Sequence, residues 1–121
     1  ALVSFVCWDG AALLSGEPLA RALDRVAQEG ALAVLVNCLP PSNAEPCLAV
    51  LAQSGLRFGI YANLGTPLAS GAFARSEDCS PEAFAAYARD WLRAGASLIG
   101  GCCGTTPAHI ASLATLLREL G

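Results

Sequence analysis

Ala96-Ser97-Leu98-Ile99-Gly100-Gly101-Cys102-Cys103-Gly104-Thr105-Thr106-Pro107-Ala108-His109 is the stretch on which the fold turns. Its first part, Ala96 to Gly101, is short and apolar and reads as a strand. Its last part supplies Thr106 as an N-cap and Pro107 at the first helical position. Ile110, Leu113, Ala114 and Leu117 then recur at helical spacing. Two adjacent cysteines therefore end a strand, in a turn softened by Gly100, Gly101 and Gly104. Neighbouring side chains point to opposite faces in a regular strand. Glycine tolerates φ > 0, so this turn is expected to let both thiols face one ion. Two sulfurs are too few for a tetrahedral zinc site. Cys38, ending Val34-Leu35-Val36-Asn37-Cys38, is the expected third.

The same strand–turn–helix plan occurs three more times upstream. Leu2 to Cys7 reads as a buried strand by its continuous apolar character. A loop through Trp8-Asp9-Gly10 and Ser15 leads to a helix with Leu19, Ala22, Leu23, Val26 and Ala27 on one face and Gly30 as its C′ residue. Ala31 to Cys38 is the second strand, ended by Pro40 and Pro41. Ser42-Asn43-Ala44-Glu45 predicts a capping box, followed by a stripe of Ala44, Leu48, Leu51 and Ala52. Leu56 to Ala62 is the third strand. A long connection from Asn63 to Cys79 follows, and long βα connections tend to be functional or disordered. Ser80 and Pro81 open a helix whose apolar face is Phe84, Tyr87, Ala88, Trp91 and Leu92. The pattern is (βα)4, of class α/β with a parallel sheet. It fits a small open sheet or half of a (βα)8 TIM-type barrel. Neither terminal strand carries the charges that protect an edge, which favours the half barrel.

Composition narrows the function. The chain has 121 residues, 55% of them hydrophobic, enough for one domain. Its net charge is −3 with no basic run, which argues against nucleic acid or an anionic membrane as partner. No apolar run approaches the roughly 20 residues that span a bilayer. No signal peptide is visible, and a cytoplasmic setting is expected. The first residue is alanine and methionine is absent, so the chain reads as a piece of something longer. Lysine is absent too, which excludes Schiff-base chemistry on this segment. The single histidine, His109, supports neither a His-rich metal site nor a Ser–His triad.

Six cysteines remain: Cys7, Cys38, Cys47, Cys79, Cys102 and Cys103. Clustered cysteines in an apolar, apparently cytosolic chain are more often metal-binding or catalytic than disulfide-bonded. In an α/β barrel the working face is the C-terminal end of the strands. Cys38, Cys102 and Cys103 meet there, about 10 Å apart by backbone. Asn63 lies between them if the strands are neighbours in order. Three thiolates leave zinc one open position, the mark of a catalytic site. Their charge makes the metal a poor carbonyl polariser, better suited to holding a substrate sulfur as thiolate. That chemistry is alkyl transfer to a thiol.

Val36-Asn37-Cys38 with Pro40-Pro41, then Tyr61-Ala62-Asn63-Leu64-Gly65, then Gly100 to Ile110, resemble the homocysteine S-methyltransferase family. That family includes betaine–homocysteine methyltransferase and the homocysteine domain of cobalamin-dependent methionine synthase. Ser4-Phe5 and Ser15-Gly16-Glu17 also follow its usual course. The resemblance covers the whole chain, residues 1–121, but only strands five to eight of the family's (βα)8 barrel, its C-terminal half. It implies zinc on Cys38, Cys102 and Cys103, homocysteine as acceptor, methionine as product, and a methyl donor that varies between members. Asn63 is assigned by position, its amide oxygen filling the fourth zinc site until substrate sulfur arrives. Tyr61 and Asn37, at the same strand ends, are assigned to substrate. The acidic residues expected to hold the homocysteine amino group would lie in the missing strands, so activity of this chain alone is not expected. Exposed sheet edges would be closed by the missing N-terminal half barrel or by a second copy. The rival readings are a non-catalytic zinc-binding α/β module or remnant, and a disulfide-bonded structural domain. Cys7 is expected at a strand end or in the core, and Cys47 and Cys79 as bystanders. His109 is expected either as a donor behind the metal loop or on the surface at a helix start. Asp9 and Glu17 are read as loop and first-turn residues.

Overall fold

A computed structural model describes residues 1–75 and 80–121. Its parallel sheet has the order β1-β2-β3-β6, formed by β1 (Leu2–Val6), β2 (Ala33–Asn37), β3 (Phe58–Ala62) and β6 (Leu98–Gly101). The crossovers are α1 (Leu19–Gln28), α2 (Glu45–Gln53) and α3 (Pro81–Arg93), with α4 (Pro107–Leu120) after the last strand. This is the expected (βα)4 arrangement. A short antiparallel hairpin, β4 (Gly65–Pro67) and β5 (Phe73–Arg75), occupies part of the connection read as a plain loop. Cys79 lies outside the described residues.

The helices cover one side of the sheet. Cys7, Val34, Val36, Phe58, Ile60 and Ala62 share a single core with Leu19, Leu23, Leu51, Phe84, Trp91, Leu113 and Leu116. These strand residues alternate in sequence, as one face of a pleated sheet must. The opposite face carries Ser4, Leu35, Asn37, Gly59, Tyr61 and Leu98, which register places together. A doubly wound sheet would be covered on both faces. One-sided cover is the layering of a barrel wall. On this second face a Cβ at Gly59 would stand 2.5 Å from Leu98 Cβ and 3.1 Å from Leu35. Only glycine leaves room there for the neighbouring strands.

Several local expectations are corrected. β1 is not a buried strand: Leu2 is 60% exposed and Ser4 is exposed, because β1 is an edge and no helix covers its second face. The Ser42–Glu45 capping box does not form. Pro40 instead leads into a 3-10 turn, Pro41–Asn43, which shifts the cap of α2 to Ala44 without a side-chain hydrogen bond. In α1 Ala27 is exposed, and in α2 Cys47 replaces Ala52 on the buried face. The stripe of α4 is His109, Leu113 and Leu116, while Ile110 and Leu117 are about half exposed. Other signals hold. Ser80 Oγ accepts from the Ala83 amide at 3.0 Å, capping α3. Gly30 follows α1 with φ +77°.

Candidate metal centre

The sheet order puts β3 between the two cysteine-bearing strand ends, and the backbone ladder runs past those ends. The Cys38 amide donates to Tyr61 O at 3.0 Å and the Asn63 amide to Leu39 O at 2.8 Å. On the other side the Cys102 amide donates to Ala62 O at 2.9 Å, and the Leu64 amide to Cys103 O at 3.1 Å. Both cysteine loops are thus tied to the residues that flank and include Asn63.

Cys38, Cys102 and Cys103 have their sulfurs within 4.8 Å of one another. The Cys38–Cys102 separation is 2.8 Å and the Cys102–Cys103 separation 3.9 Å. A tetrahedral zinc with Zn–S of about 2.3 Å sets its sulfurs roughly 3.8 Å apart. The second spacing matches that, and the first would open by about 1 Å. Cys38 and Cys102 are half-buried and Cys103 is exposed, so one side of the cluster is open.

The turn chemistry differs from the expectation in an instructive way. Of the three glycines, only Gly104 is left-handed, at φ +81°. Gly100 and Gly101 are ordinary strand residues whose missing side chains make room. A Cβ on Gly100 would sit 2.9 Å from the Tyr61 ring, and one on Gly101 would collide with Thr105. The backbone reversal that turns a thiol falls instead on Cys38, at φ +58°. L-residues avoid that region, and it breaks the strand alternation just after Asn37.

The two half-buried thiols differ in acidity. Burial pushes Cys38 up to about 11, the neighbouring Cys102 thiol adds to the rise, and a hydrogen bond from Asn37 opposes it. Burial raises Cys102 as well, yet hydrogen bonds from the Cys38 thiol and from Cys103 hold it below the ordinary thiol value. Of the two, Cys102 gives up its proton more readily than Cys38. Cys7 and Cys47 form a separate contact in the core. Burial raises both, Cys47 to about 12, so they remain thiols.

Asn63 is 1% exposed, and its Oδ1 has no hydrogen-bond partner among the described residues. A buried acceptor left unpaired costs roughly 1–3 kcal/mol. The backbone of Asn63 runs between the two cysteine loops. Three sulfurs within 4.8 Å of one another are a donor set that suits zinc. Asn37 and Tyr61 are cross-strand partners on the uncovered face. Sequence reasoning missed Ser4, whose hydroxyl donates to Asn37 Oδ1 at 2.5 Å. Only strand register, which no local motif encodes, brings these two together. His109 is not on the surface. It is buried, its Nδ1 accepts from the Thr106 amide at 3.2 Å, and its ring meets Phe84 edge-on, closing the first turn of α4.

A family model described as homocysteine S-methyltransferase matches residues 1–117. The chain is 36% identical over 122 residues to homocysteine S-methyltransferase 1 of Zea mays, covering 95% of this chain and 38% of that protein. It is 30% identical over 122 residues to homocysteine S-methyltransferase YbgG of Bacillus subtilis (strain 168), covering 99% and 39%. It is 31% identical over 114 residues to the selenocysteine Se-methyltransferase of Brassica oleracea var. italica, covering 91% and 33%. The chain thus spans between a third and two-fifths of the length of these relatives.

Proposed function

The chain belongs to the homocysteine S-methyltransferase family, and from that premise we propose that it is the metal-binding half, strands five to eight, of a barrel that methylates the sulfur of homocysteine to give methionine. The observation that carries the reading is the convergence of Cys38, Cys102 and Cys103, with the backbone of Asn63, whose Oδ1 is unpaired, tied to both cysteine loops. These four side chains would hold zinc, which supplies, when bound, a cation that keeps a substrate thiol deprotonated at neutral pH.

The chain's own residues do the rest. Cys103, exposed at the rim, leaves one side of the cluster open to an incoming thiol. Asn63 would hold the fourth position until that thiol arrives. Tyr61 and Asn37 line the face on which homocysteine would lie. The homocysteine sulfur forms a bond to the methyl carbon as the donor's bond to that carbon breaks, its electron pair leaving with the donor. The donor is an electrophilic methyl compound, held in part by residues outside this chain. The thiols must be reduced to serve as ligands, which agrees with a cytoplasmic setting. Among the described residues no helix is long and apolar enough to cross a membrane.

A second reading, metal binding without turnover, is favoured for the isolated chain by its share of its relatives' length. The test is metal content per chain of reduced protein, with cobalt as a spectroscopic substitute, before and after adding homocysteine. One metal per chain, with a spectrum that changes on adding homocysteine, is expected. Protein that takes up no metal would sink the reading. Metal indifferent to homocysteine would leave the non-catalytic module.

A further inference from the structure

The loop that carries two of the three cysteines is closed by a residue the metal reading does not use. Cys102 to Thr105 form one tight turn. The Thr105 amide donates to Cys102 O at 3.2 Å, the bond from fourth residue to first that closes a β-turn. Gly104 stands third at φ +81° and Cys103 second, outside the left-handed region, which is the form of a type II turn. The chain adds a second bond to this ordinary device. The Thr105 hydroxyl donates to the same Cys102 O at 2.7 Å. The half-buried Thr105 side chain also lies over the end of β6. A Cβ on Gly101 would stand 2.6 Å from Thr105 Cβ, so threonine fills the space that the glycine leaves.

We propose that Thr105 is a positioning residue for the cysteine cluster, its hydroxyl fixing the peptide plane between Cys102 and Cys103 and so the direction of both thiols. The role rests on the metal reading above. Neighbouring side chains of an extended chain point to opposite faces, yet these two sulfurs lie 3.9 Å apart. The backbone between them must be held away from the extended form. Strand β3 holds only its outer ends: the Cys102 amide is tied to Ala62 O and the Cys103 carbonyl to the Leu64 amide. The peptide group between those ends carries the Cys102 carbonyl, and that oxygen is the one Thr105 holds twice. A peptide group is a rigid plane, so pinning its oxygen sets the backbone angles on either side of it. Those angles decide where each Cβ, and with it each sulfur, points. Partners behind a metal ligand commonly fix its orientation, and their loss costs about 10–100-fold in metal affinity.

Two replacements separate the hydroxyl from the packing. Thr105→Val keeps the shape over Gly101 and removes the hydroxyl, whereas Thr105→Ser keeps the hydroxyl and removes the methyl group. Wild type and both variants are prepared reduced and metal-free. Zinc affinity is read by competition with a chromophoric chelator, the cluster by its cobalt–thiolate absorption, and the fold by the urea midpoint of the metal-free protein. Thr105→Val is expected to bind one metal per chain about 10-fold more weakly than wild type, with a shifted cobalt band. Thr105→Ser is expected to stay within about twofold of wild type, with the wild-type band. Equal affinity and spectra in wild type and Thr105→Val would overturn the role of Thr105 while leaving the metal reading intact. A loss in Thr105→Ser as large as in Thr105→Val would overturn it too, since the hydroxyl would not be the agent. Weaker binding by Thr105→Val with an unshifted band and a lowered urea midpoint would make the hydroxyl a contact of the fold alone, and the proposal would fall. Wild type that binds no metal would overturn both readings.

Discussion

Cys38 is the one non-glycine residue in the left-handed region among the described residues, at φ +58°. A side chain there costs about 1–2 kcal/mol, and a glycine does not incur it. Replacing Cys38 removes a candidate ligand in any case, so the strain shows as a difference between two replacements. In metal-free, reduced protein, Cys38→Gly is expected to be about 1 kcal/mol more stable than Cys38→Ala by urea unfolding. Equal midpoints would mean that the backbone relaxes at no cost. A natural chain keeps a strained cysteine where glycine fits only if the sulfur is needed. The three converging cysteines were legible because Gly100 to Thr105 and Asn37-Cys38 are local sequence signals. The means of turning them was not. Sequence alone gives the reversal to the glycines by propensity, whereas Gly100 and Gly101 act by vacating space for Tyr61 and Thr105.

Helices were placed well and their faces less well. Ser80-Pro81 before α3 is a local device, and the Ser80 hydroxyl caps that helix as such devices do. The face of α4 differs from the expected stripe because His109, expected behind the metal loop or on the surface, is one of its buried residues. Once its ring nitrogen is satisfied by the Thr106 amide, the ring packs as an apolar body against Phe84. The hairpin β4–β5 was illegible because three residues a side carry no readable period. On α2 the buried thiol of Cys47, against Cys7, gives the element a pH signature. A thiol raised from about 9 in the unfolded chain to about 12 when folded keeps its proton longer in the native state. By linkage its contribution is intact below pH 9 and is lost as pH rises from there toward 12. Cys47→Ala is expected to flatten the fall in urea midpoint over that interval. A fall as steep as in wild type would assign it to other groups. Iodoacetamide on folded, metal-free protein near neutral pH is expected to label exposed Cys103 while sparing Cys7 and Cys47, read by peptide mass. Labelling of Cys47 as fast as Cys103 would mean that the core opens readily.

At the scale of the whole molecule, the (βα)4 order was legible because each unit repeats strand, turn and helix. The choice between an open sheet and a barrel wall needed the structure, since only it shows helices on one face. Contact between Ser4 and Asn37, and between Cys38 and Cys102, depends on register and strand order, which no window of sequence contains. The second contact has a consequence for chain topology. Cys38 and Cys102 are 64 residues apart. A metal joining them would close a ring that contains α2, β3, the hairpin and α3. Fixing a ring of that length removes roughly 4 kcal/mol of entropy from the unfolded chain. Saturating zinc is therefore expected to raise the urea midpoint of wild type well above that of Cys38→Ser, and equal gains in both would place the metal on a local site instead. A chain stripped of metal opens more often, and the open form is what proteases cut. The cell's zinc supply would then govern how long each copy survives as well as whether it works.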